Sequence, residues 1–235
     1  MKKIKLLSVL LTTIFLSISC DNEELDPSLS NNLNNTSTVD YWPSVINNEW
    51  NYNQGGFGQS PFKIVSTSLI NGFTYYNYTN IFGQFDNLDN SIQLQVRKEN
   101  NNYFLRYPES TYTAENLYTS VVNSREFLLF DHNKNIGETW SSNYNFTQTT
   151  TNLFPPFLTN TSVSVLTETG TMLGINLSMV INNVTYNNII HFKLVTTNAS
   201  STILSIENYW FSKDLGCVKA SFSDTNIAIN SSILY

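Results

Sequence analysis

Short runs of alternating apolar and polar residues, separated by asparagine- and glycine-rich turns, fill the chain from Tyr41 to its end. The clearest pair is residues 62–70 and 73–80, which flank Asn71-Gly72. An Asn-Gly pair between two such runs is the strongest short-range signal of a two-residue β-hairpin. In residues 91–96 apolar side chains alternate with serine and glutamine, so one face of that strand is apolar and the other is polar. This pattern predicts an all-β fold.

Further runs extend the same pattern along the chain. They predict strands at residues 91–99, 103–107, 124–130, 137–146, 161–167, 171–181, 184–197, 201–212, 217–223 and 226–234. Residues 168–170 are predicted as the turn between two of these strands. The result is a single antiparallel meander of about a dozen strands, forming a curved half-barrel, a barrel or a sandwich. Little helix is expected, and residues 41–47 and 113–119 are its best candidates.

The first twenty residues have the pattern of an export signal. A basic start, Met1-Lys2-Lys3-Ile4-Lys5, precedes an apolar run over residues 6–18 that is too short to span a bilayer comfortably. Ser19-Cys20 at the cut site resembles the bacterial lipobox, in which the cysteine is diacylated on sulfur. This predicts a lipoprotein signal peptide over 1–19 and lipidation of Cys20. An ordinary signal peptide, with Cys20 free to pair with Cys217, is the alternative.

Residues 20–40 are predicted to form a flexible tether between the lipid and a single domain over 41–235. The segment is polar and contains too few apolar residues to fold by itself. Its acidic start, Asp21-Asn22-Glu23-Glu24, resembles the surface-export signal of Bacteroidota lipoproteins. We therefore expect outer-membrane localisation by the lipid anchor, with the cell surface favoured over the periplasmic face.

The charge of the chain argues against a nucleic-acid partner. Removing residues 1–19 takes away three lysines and no acidic residue, which leaves nine basic and eighteen acidic residues. Phosphate neutralisation requires clustered lysine and arginine, and this chain has no such cluster.

Residues that carry chemistry are sparse. The two histidines are predicted as a turn residue, His132, and a strand residue, His191. Neither belongs to a metal-ligand pattern, and residues 86–90 lack the spacing of a calcium loop. No nucleophile elbow or phosphate loop is present in the sequence. We predict no catalytic residue, no cofactor and no metal site. Trp50, Trp140 and Trp210 are predicted as core anchors.

Four segments taken in order resemble a group of uncharacterised Bacteroidota lipoproteins. These segments are YWP…NEWNY at residues 41–52, EFLLFD at 126–131, IGETW at 136–140 and YWFSKDLGCVK at 209–219. The group carries YxP…GNxWxY, LLxD…xGDTW and YWFAxGVGxVK motifs. The resemblance implies a curved antiparallel sheet of the lipoprotein-carrier type and implies no functional residue, because the group has no established activity.

Three functions are compatible with these features. The first is a non-enzymatic, lipid-anchored outer-membrane lipoprotein that binds an apolar small molecule or a glycan. The second is a surface glycan-binding or adhesion module, which requires exposed coplanar aromatics such as Tyr75, Tyr76 and Tyr78. The third is a two-carboxylate hydrolase, which requires two acids roughly 5–10 Å apart in a cleft.

Overall fold

A computed structural model describes residues 39–53, 61–78, 94–114, 117–222 and 225–235. These residues contain fourteen β-strands and no helix, which confirms the all-β prediction. The strands are β1 (Glu49–Asn53), β2 (Phe62–Ile70), β3 (Phe73–Tyr78), β4 (Leu94–Glu99), β5 (Asn102–Tyr107), β6 (Ser110–Ala114), β7 (Tyr118–Val122), β8 (Arg125–Asp131), β9 (Thr139–Asn152), β10 (Thr159–Ile181), β11 (Val184–Asn198), β12 (Ile203–Ser212), β13 (Gly216–Phe222) and β14 (Thr225–Ile233).

All fourteen strands belong to one antiparallel sheet. Their spatial order is β6-β7-β9-β10-β11-β12-β13-β14-β1-β2-β3-β4-β5-β8. Two meanders, β1 to β5 and β9 to β14, join where β14 pairs with β1. The hairpin β6–β7 pairs with the second half of β9, and β8 pairs with β5 at the other end of the order. The predicted single, largely meandering sheet is confirmed.

The sheet curls so that β8, the last strand in the spatial order, lies beside the first half of β9. The Leu128 amide donates to Ser142 Oγ at 3.0 Å, and Trp140 Nε1 donates to the Leu129 carbonyl at 3.1 Å. Side chains make these bonds, and among the described residues no backbone ladder joins β8 to β9. The sheet is therefore open at this seam and curved around one core.

Aromatic rings fill the inside of the curl. Phe130 lies 5.0 Å from Phe192 and 4.9 Å from Phe211 between ring centroids, and it stacks on Tyr103 at 4.2 Å. All four side chains are buried. Burial of such large rings supplies most of the driving force for closing the sheet, because each removes about 150–250 Å² from water. The inner face is thus largely apolar, and any ionisable group on it needs an explanation.

Asparagines provide the tight turns. Seven of the nine non-glycine residues with positive φ are asparagine. At the predicted β2–β3 hairpin, Asn71 has a φ of 52° and Gly72 a φ of 85°. Asparagine tolerates left-handed backbone because its side chain bonds locally. The asparagine-rich composition is therefore used structurally, and the hairpin prediction is confirmed.

The predicted turn at residues 168–170 is wrong. β10 runs without interruption through 23 residues and pairs with β9 through its first half and with β11 through its second. Gly170 is a strand residue opposite Trp140, and a Cβ at Gly170 would lie 2.0 Å from the indole. Gly170 has no side chain, and this lets the Trp140 indole lie against its backbone. In the sequence, a glycine in this role cannot be distinguished from one that marks a turn.

The two helix candidates are also wrong among the described residues. Residues 113–119 include the end of β6 and the start of β7, whereas residues 41–47 form bends and a turn. Strands β1, β6 and β7, each five residues long, were not predicted. The described residues contain no helix that is both long enough and apolar enough to cross a membrane.

Two of the three predicted tryptophan anchors are confirmed. Trp50 and Trp140 are buried, whereas Trp210 is half-buried on the outer face of the sheet. Its ring stacks on His191 at 4.3 Å, and Lys219 Nζ lies 4.7 Å from its centroid. Alternation along β12 explains the error, since Tyr209 and Phe211 occupy the inward positions on either side.

Candidate functional site

The residues singled out in the sequence do not assemble into a site. Cys20 lies outside the described residues. His132 follows β8, with its ring 5.8 Å from that of Tyr41, and burial lowers the pKa of its imidazole. His191 lies on the outer face of β11. Within the described part of the chain, no group of three or more His, Cys, Asp or Glu residues is placed to hold a metal ion.

The predicted aromatic platform on β3 is also absent. Tyr75 and Tyr78 are buried, and Tyr78 accepts a hydrogen bond from Trp42 Nε1 at 2.8 Å. Tyr75 donates to Glu126 on the outer face, whereas Tyr78 points into the core. The tyrosines of β3 therefore occupy both faces of the sheet and cannot offer a sugar ring one flat surface. Cys217 is a free, buried thiol, as expected of a small core residue.

A set of ionisable and hydroxyl side chains lies instead on the inner face, near the seam between β8 and β9. We call it the inner polar cluster, and it comprises Tyr107, Arg125, Tyr144, Glu168, Thr196, Ser205 and Glu207. Its members come from β5, β8, β9, β10, β11 and β12, so only the curl of the sheet brings them together.

Arg125 is the unusual member of the cluster. It is only 7% exposed, and it lies directly opposite Tyr107 on the neighbouring strand. Its guanidinium carbon is 4.3 Å from the centroid of the Tyr107 ring and 5.3 Å from that of Phe146. Among the described residues it donates no hydrogen bond and forms no ion pair. Burial lowers its pKa, with partial opposition from Tyr107, Tyr144 and Glu168.

The guanidinium of Arg125 is unpaired among the described residues, but in contrast to His132 Nδ1 none of its nitrogens is fully buried, so it still reaches solvent inside the curl. It has five N–H donors, and it stays charged even when its pKa falls, because the ordinary value is above 12. Removing a charge from water costs several kcal/mol unless a counter-charge or hydrogen bonds replace the lost hydration. Two aromatic faces supply roughly 1–2 kcal/mol each at most. Arg125 is therefore a solvent-reaching cation that has no ion-pair partner among the described residues.

Glu168 is the carboxylate that accepts hydrogen bonds from other members of the cluster. Its carboxylate accepts hydrogen bonds from Tyr144 Oη at 3.1 Å and from Thr196 Oγ1 at 2.9 Å. Thr196 Oγ1 also lies 2.8 Å from Ser205 Oγ. Burial raises the pKa of Glu168, while the hydrogen bonds from Thr196 and Tyr144 and the charge of Arg125 oppose that rise. This carboxylate is hydrogen-bonded by two neutral donors and interacts with Arg125 only through space.

Glu207 is the second inner carboxylate. It lies deep in the curl, although part of its side chain remains accessible, and it accepts a hydrogen bond from Tyr209. Burial raises the pKa of Glu207 to about 7, and the nearby charge of Glu168 reinforces the rise. At neutral pH this group is therefore balanced between its neutral and ionised forms.

Sequence alternation contained the signal for these residues. Arg125 is in phase with the inward Phe127 and Leu129, and Glu168 is in phase with Leu166 and Met172. A charged residue in the core-facing phase of a strand marks an inner polar group. The signal at Glu168 was lost because residues 168–170 were interpreted as a turn.

Comparisons with known proteins give little guidance. No protein-family profile matches the chain, and no curated protein matches it. A solved structure of a predicted lipoprotein from Parabacteroides distasonis is similar in part, with 11% sequence identity and a TM-score of 0.38. The match covers 84% of this chain and 100% of that one. At this level of similarity it carries no argument about function.

Proposed function

We propose that this protein is a non-enzymatic lipoprotein, anchored to the outer membrane through Cys20, that binds an amphipathic anion at Arg125, beside the open seam between β8 and β9. The observation that supports the binding role is Arg125, a buried cation without a partner among the described residues. The anchor is supported by the lipobox-like sequence that ends at Cys20. The cell surface remains favoured because acidic residues follow that cysteine directly.

The surroundings of Arg125 define the chemical class of the ligand. Tyr107 lies opposite it on the neighbouring strand, and an anion placed beside both would gain charge-assisted hydrogen bonds, whereas the Tyr144 hydroxyl already donates to Glu168. Phe127 and Phe146 line the same inner face, so the rest of the ligand meets apolar surface. A carboxylate attached to a hydrocarbon chain satisfies both requirements.

The test is binding of dodecanoate by the chain that begins at Asp21, compared with dodecanol, which has the same tail and no charge. Isothermal titration of the Arg125→Met variant should show dodecanoate affinity reduced at least tenfold, with dodecanol affinity unchanged. Arg106→Met is the matched control, because Arg106 lies on the outer face and bonds to Gln95. Equal affinity of wild type and Arg125→Met for dodecanoate would refute the anion site, and so would no binding by wild type.

Lipidation needs its own test. Cells that express the full chain should incorporate labelled palmitate into this protein, and Cys20→Ser should abolish the label and release the protein from the membrane fraction. A label that survives the substitution would show that another residue is acylated. Protease treatment of intact cells should then degrade the wild-type protein if it faces outward.

A two-carboxylate hydrolase is the second candidate, favoured by the presence of Glu168 and Glu207 on one inner face. Glu168 pairs with Thr196, Thr196 pairs with Ser205, and Glu207 follows two residues later. Two strand spacings and two residues along the strand separate the two backbones by about 12 Å. The distance between the two carboxyl groups depends further on the rotamers of the Glu168 and Glu207 side chains. Hydrolysis of a glycoside that Glu168→Gln abolishes would establish this function in place of the binding role.

A further inference from the structure

The loop between β9 and β10 exposes an unusual number of apolar side chains. Its sequence, LFPPFL at residues 153–158, contains no polar side chain. Phe154 is 53% exposed, Phe157 is 68% exposed and Leu158 is 55% exposed. Leu117, at the start of β7, is also exposed, and its carbonyl accepts a hydrogen bond from the Leu153 amide at 3.0 Å. We call Leu117 and residues 153–158 the apolar tip.

The strands that lead to the tip carry no charge. From Thr139 to Thr167 the sequence has no Asp, Glu, Lys, Arg or His, although the whole chain has a net charge of −6. Paired threonine hydroxyls cover the outer surface here, with Thr149 Oγ1 3.1 Å from Thr161 Oγ1 and Thr151 Oγ1 3.0 Å from Thr159 Oγ1. The two strands that carry the loop are thus uncharged from Thr139 to Thr167.

The backbone of the tip is partly satisfied from within. The Asn152 amide donates to the Leu158 carbonyl at 2.9 Å, and the Leu158 amide donates to the Pro156 carbonyl at 2.7 Å. Pro155 and Pro156 have no N–H to satisfy. This loop has apolar side chains and few free backbone donors. Its transfer from water to the interfacial region of a bilayer therefore costs little desolvation free energy.

The size of the tip favours lipid over a protein partner. Its exposed apolar side chains offer on the order of 500 Å², whereas a stable protein interface buries about 800 Å² per partner. A protruding loop also presents a convex surface, which lipid can surround and a flat protein surface cannot. Patches of this size on otherwise polar surfaces mark interaction sites.

We propose that the apolar tip inserts into the interface of a lipid bilayer and holds the domain against the membrane independently of the acyl chain on Cys20. Insertion is driven by Phe154, Phe157 and Leu158. It needs no anionic lipid, because the described residues of the tip include no basic side chain. The nearest charged residue along β6–β7 is Glu115, which lies outside the described residues and gives anionic lipid no attraction.

The experiment measures flotation with phosphatidylcholine vesicles, using the chain that begins at Asp21 and therefore lacks the acylated cysteine. This chain keeps every strand that the structure describes. Wild type should float with the vesicles, and Phe154→Ser/Phe157→Ser should reduce its partition coefficient at least tenfold. The matched control is Leu69→Ser/Ile136→Ser, which removes two apolar side chains that are 76% and 61% exposed elsewhere; its partitioning should equal that of wild type.

Circular dichroism should show the same β-spectrum for all three proteins, because every changed side chain is exposed. Replacing a third of the lipid with phosphatidylglycerol should leave wild-type partitioning unchanged or weaker. The proposal is overturned if wild type does not float, or if the double serine variant floats equally well. It is also overturned if sedimentation shows a wild-type dimer that this variant abolishes, since the tip would then bind a second copy.

Discussion

Arg97 and Arg125 make the same type of contact on opposite faces of the sheet formed by β4, β5 and β8. Each is 7% exposed, and each guanidinium lies between two aromatic rings. Arg97 on the outer face is ion-paired to Glu126 at 2.8 Å and to Glu99 at 2.7 Å. Arg125 on the inner face has no such partner among the described residues.

The pKa values of the two arginines move in opposite directions. Burial lowers the pKa of Arg97, but the hydrogen bonds and charge of Glu126 and Glu99 outweigh it and raise the pKa above its ordinary value. Burial also lowers the pKa of Arg125, and no paired carboxylate reverses the effect. Among the described residues, the protein therefore pairs one of these arginines with carboxylates and leaves the other unpaired. Substitutions at the two sites should separate a structural arginine from a binding one.

The largest effect is expected from Arg97→Met. This change leaves Glu126 and Glu99 without their cation, and Glu126 still accepts a hydrogen bond from Tyr75. Because both carboxylates are partly exposed, the loss is moderate, and the free energy of unfolding should fall by about 3 kcal/mol. Urea denaturation measures it. An unchanged midpoint would show that the outer ion pairs contribute nothing.

The same substitution at the inner site should not lower the free energy of unfolding and is expected to raise it. Arg125→Met removes an unpaired charge and retains an apolar stem, so the free energy of unfolding of the ligand-free protein should stay constant or rise by up to about 2 kcal/mol. Denaturation of both methionine variants under identical conditions tests the comparison directly. A loss at Arg125 as large as that at Arg97 would mean that Arg125 stabilises the fold by itself.

Glu207→Gln tests whether an inner carboxylate makes the stability of the protein depend on pH. The pKa of Glu207 is about 7 in the folded protein and ordinarily 4.5, so the folded state binds more protons between these values. The contribution of this group to stability is therefore present below pH 4.5 and is lost as pH rises to 7. Glutamine stays neutral, so the variant should exceed wild type at pH 8 by on the order of 1–3 kcal/mol.

Thermal unfolding at pH 5 and pH 8 measures this difference. Glu109→Gln is the matched control, because it makes the same substitution at an exposed carboxylate. If Glu207→Gln has the same pH dependence as wild type, Glu207 is not the group that titrates inside the curl.

The smallest effect is expected from Glu126→Gln. The single amide oxygen can accept from Arg97 or from Tyr75 but cannot replace both carboxylate oxygens, so the charge and part of the hydrogen bonding are lost, and the free energy of unfolding should fall by about 1 kcal/mol. Dodecanoate affinity should not change, because Glu126 faces outward. Titration calorimetry checks the second expectation, and a weakened affinity would mean that the two faces of β8 are coupled.

The strands of this protein could be predicted largely from local pattern, and its inner site could not. Asn71-Gly72 and Asn182-Asn183 produce turns because left-handed backbone is a local property of these residues. Gly170 was misinterpreted because its role depends on Trp140, which is distant in sequence and opposite it in the sheet. Trp210 was assigned to the core because its alternation was considered without that of Tyr209 and Phe211.

The sequence alone determined an all-β chain and the hairpin at Asn71-Gly72, because turn chemistry is encoded in neighbouring residues, and it predicts a lipid anchor at Cys20. Only the tertiary structure decided which of the charged residues have partners. Arg97 and Arg125 look alike in the sequence, but Glu126 meets Arg97 across two strands, while the curl brings Tyr107 and Phe146 to Arg125 without an ion-pairing carboxylate. The pairing of a buried charge depends on the neighbours that folding brings to it, and those neighbours lie far away along the chain.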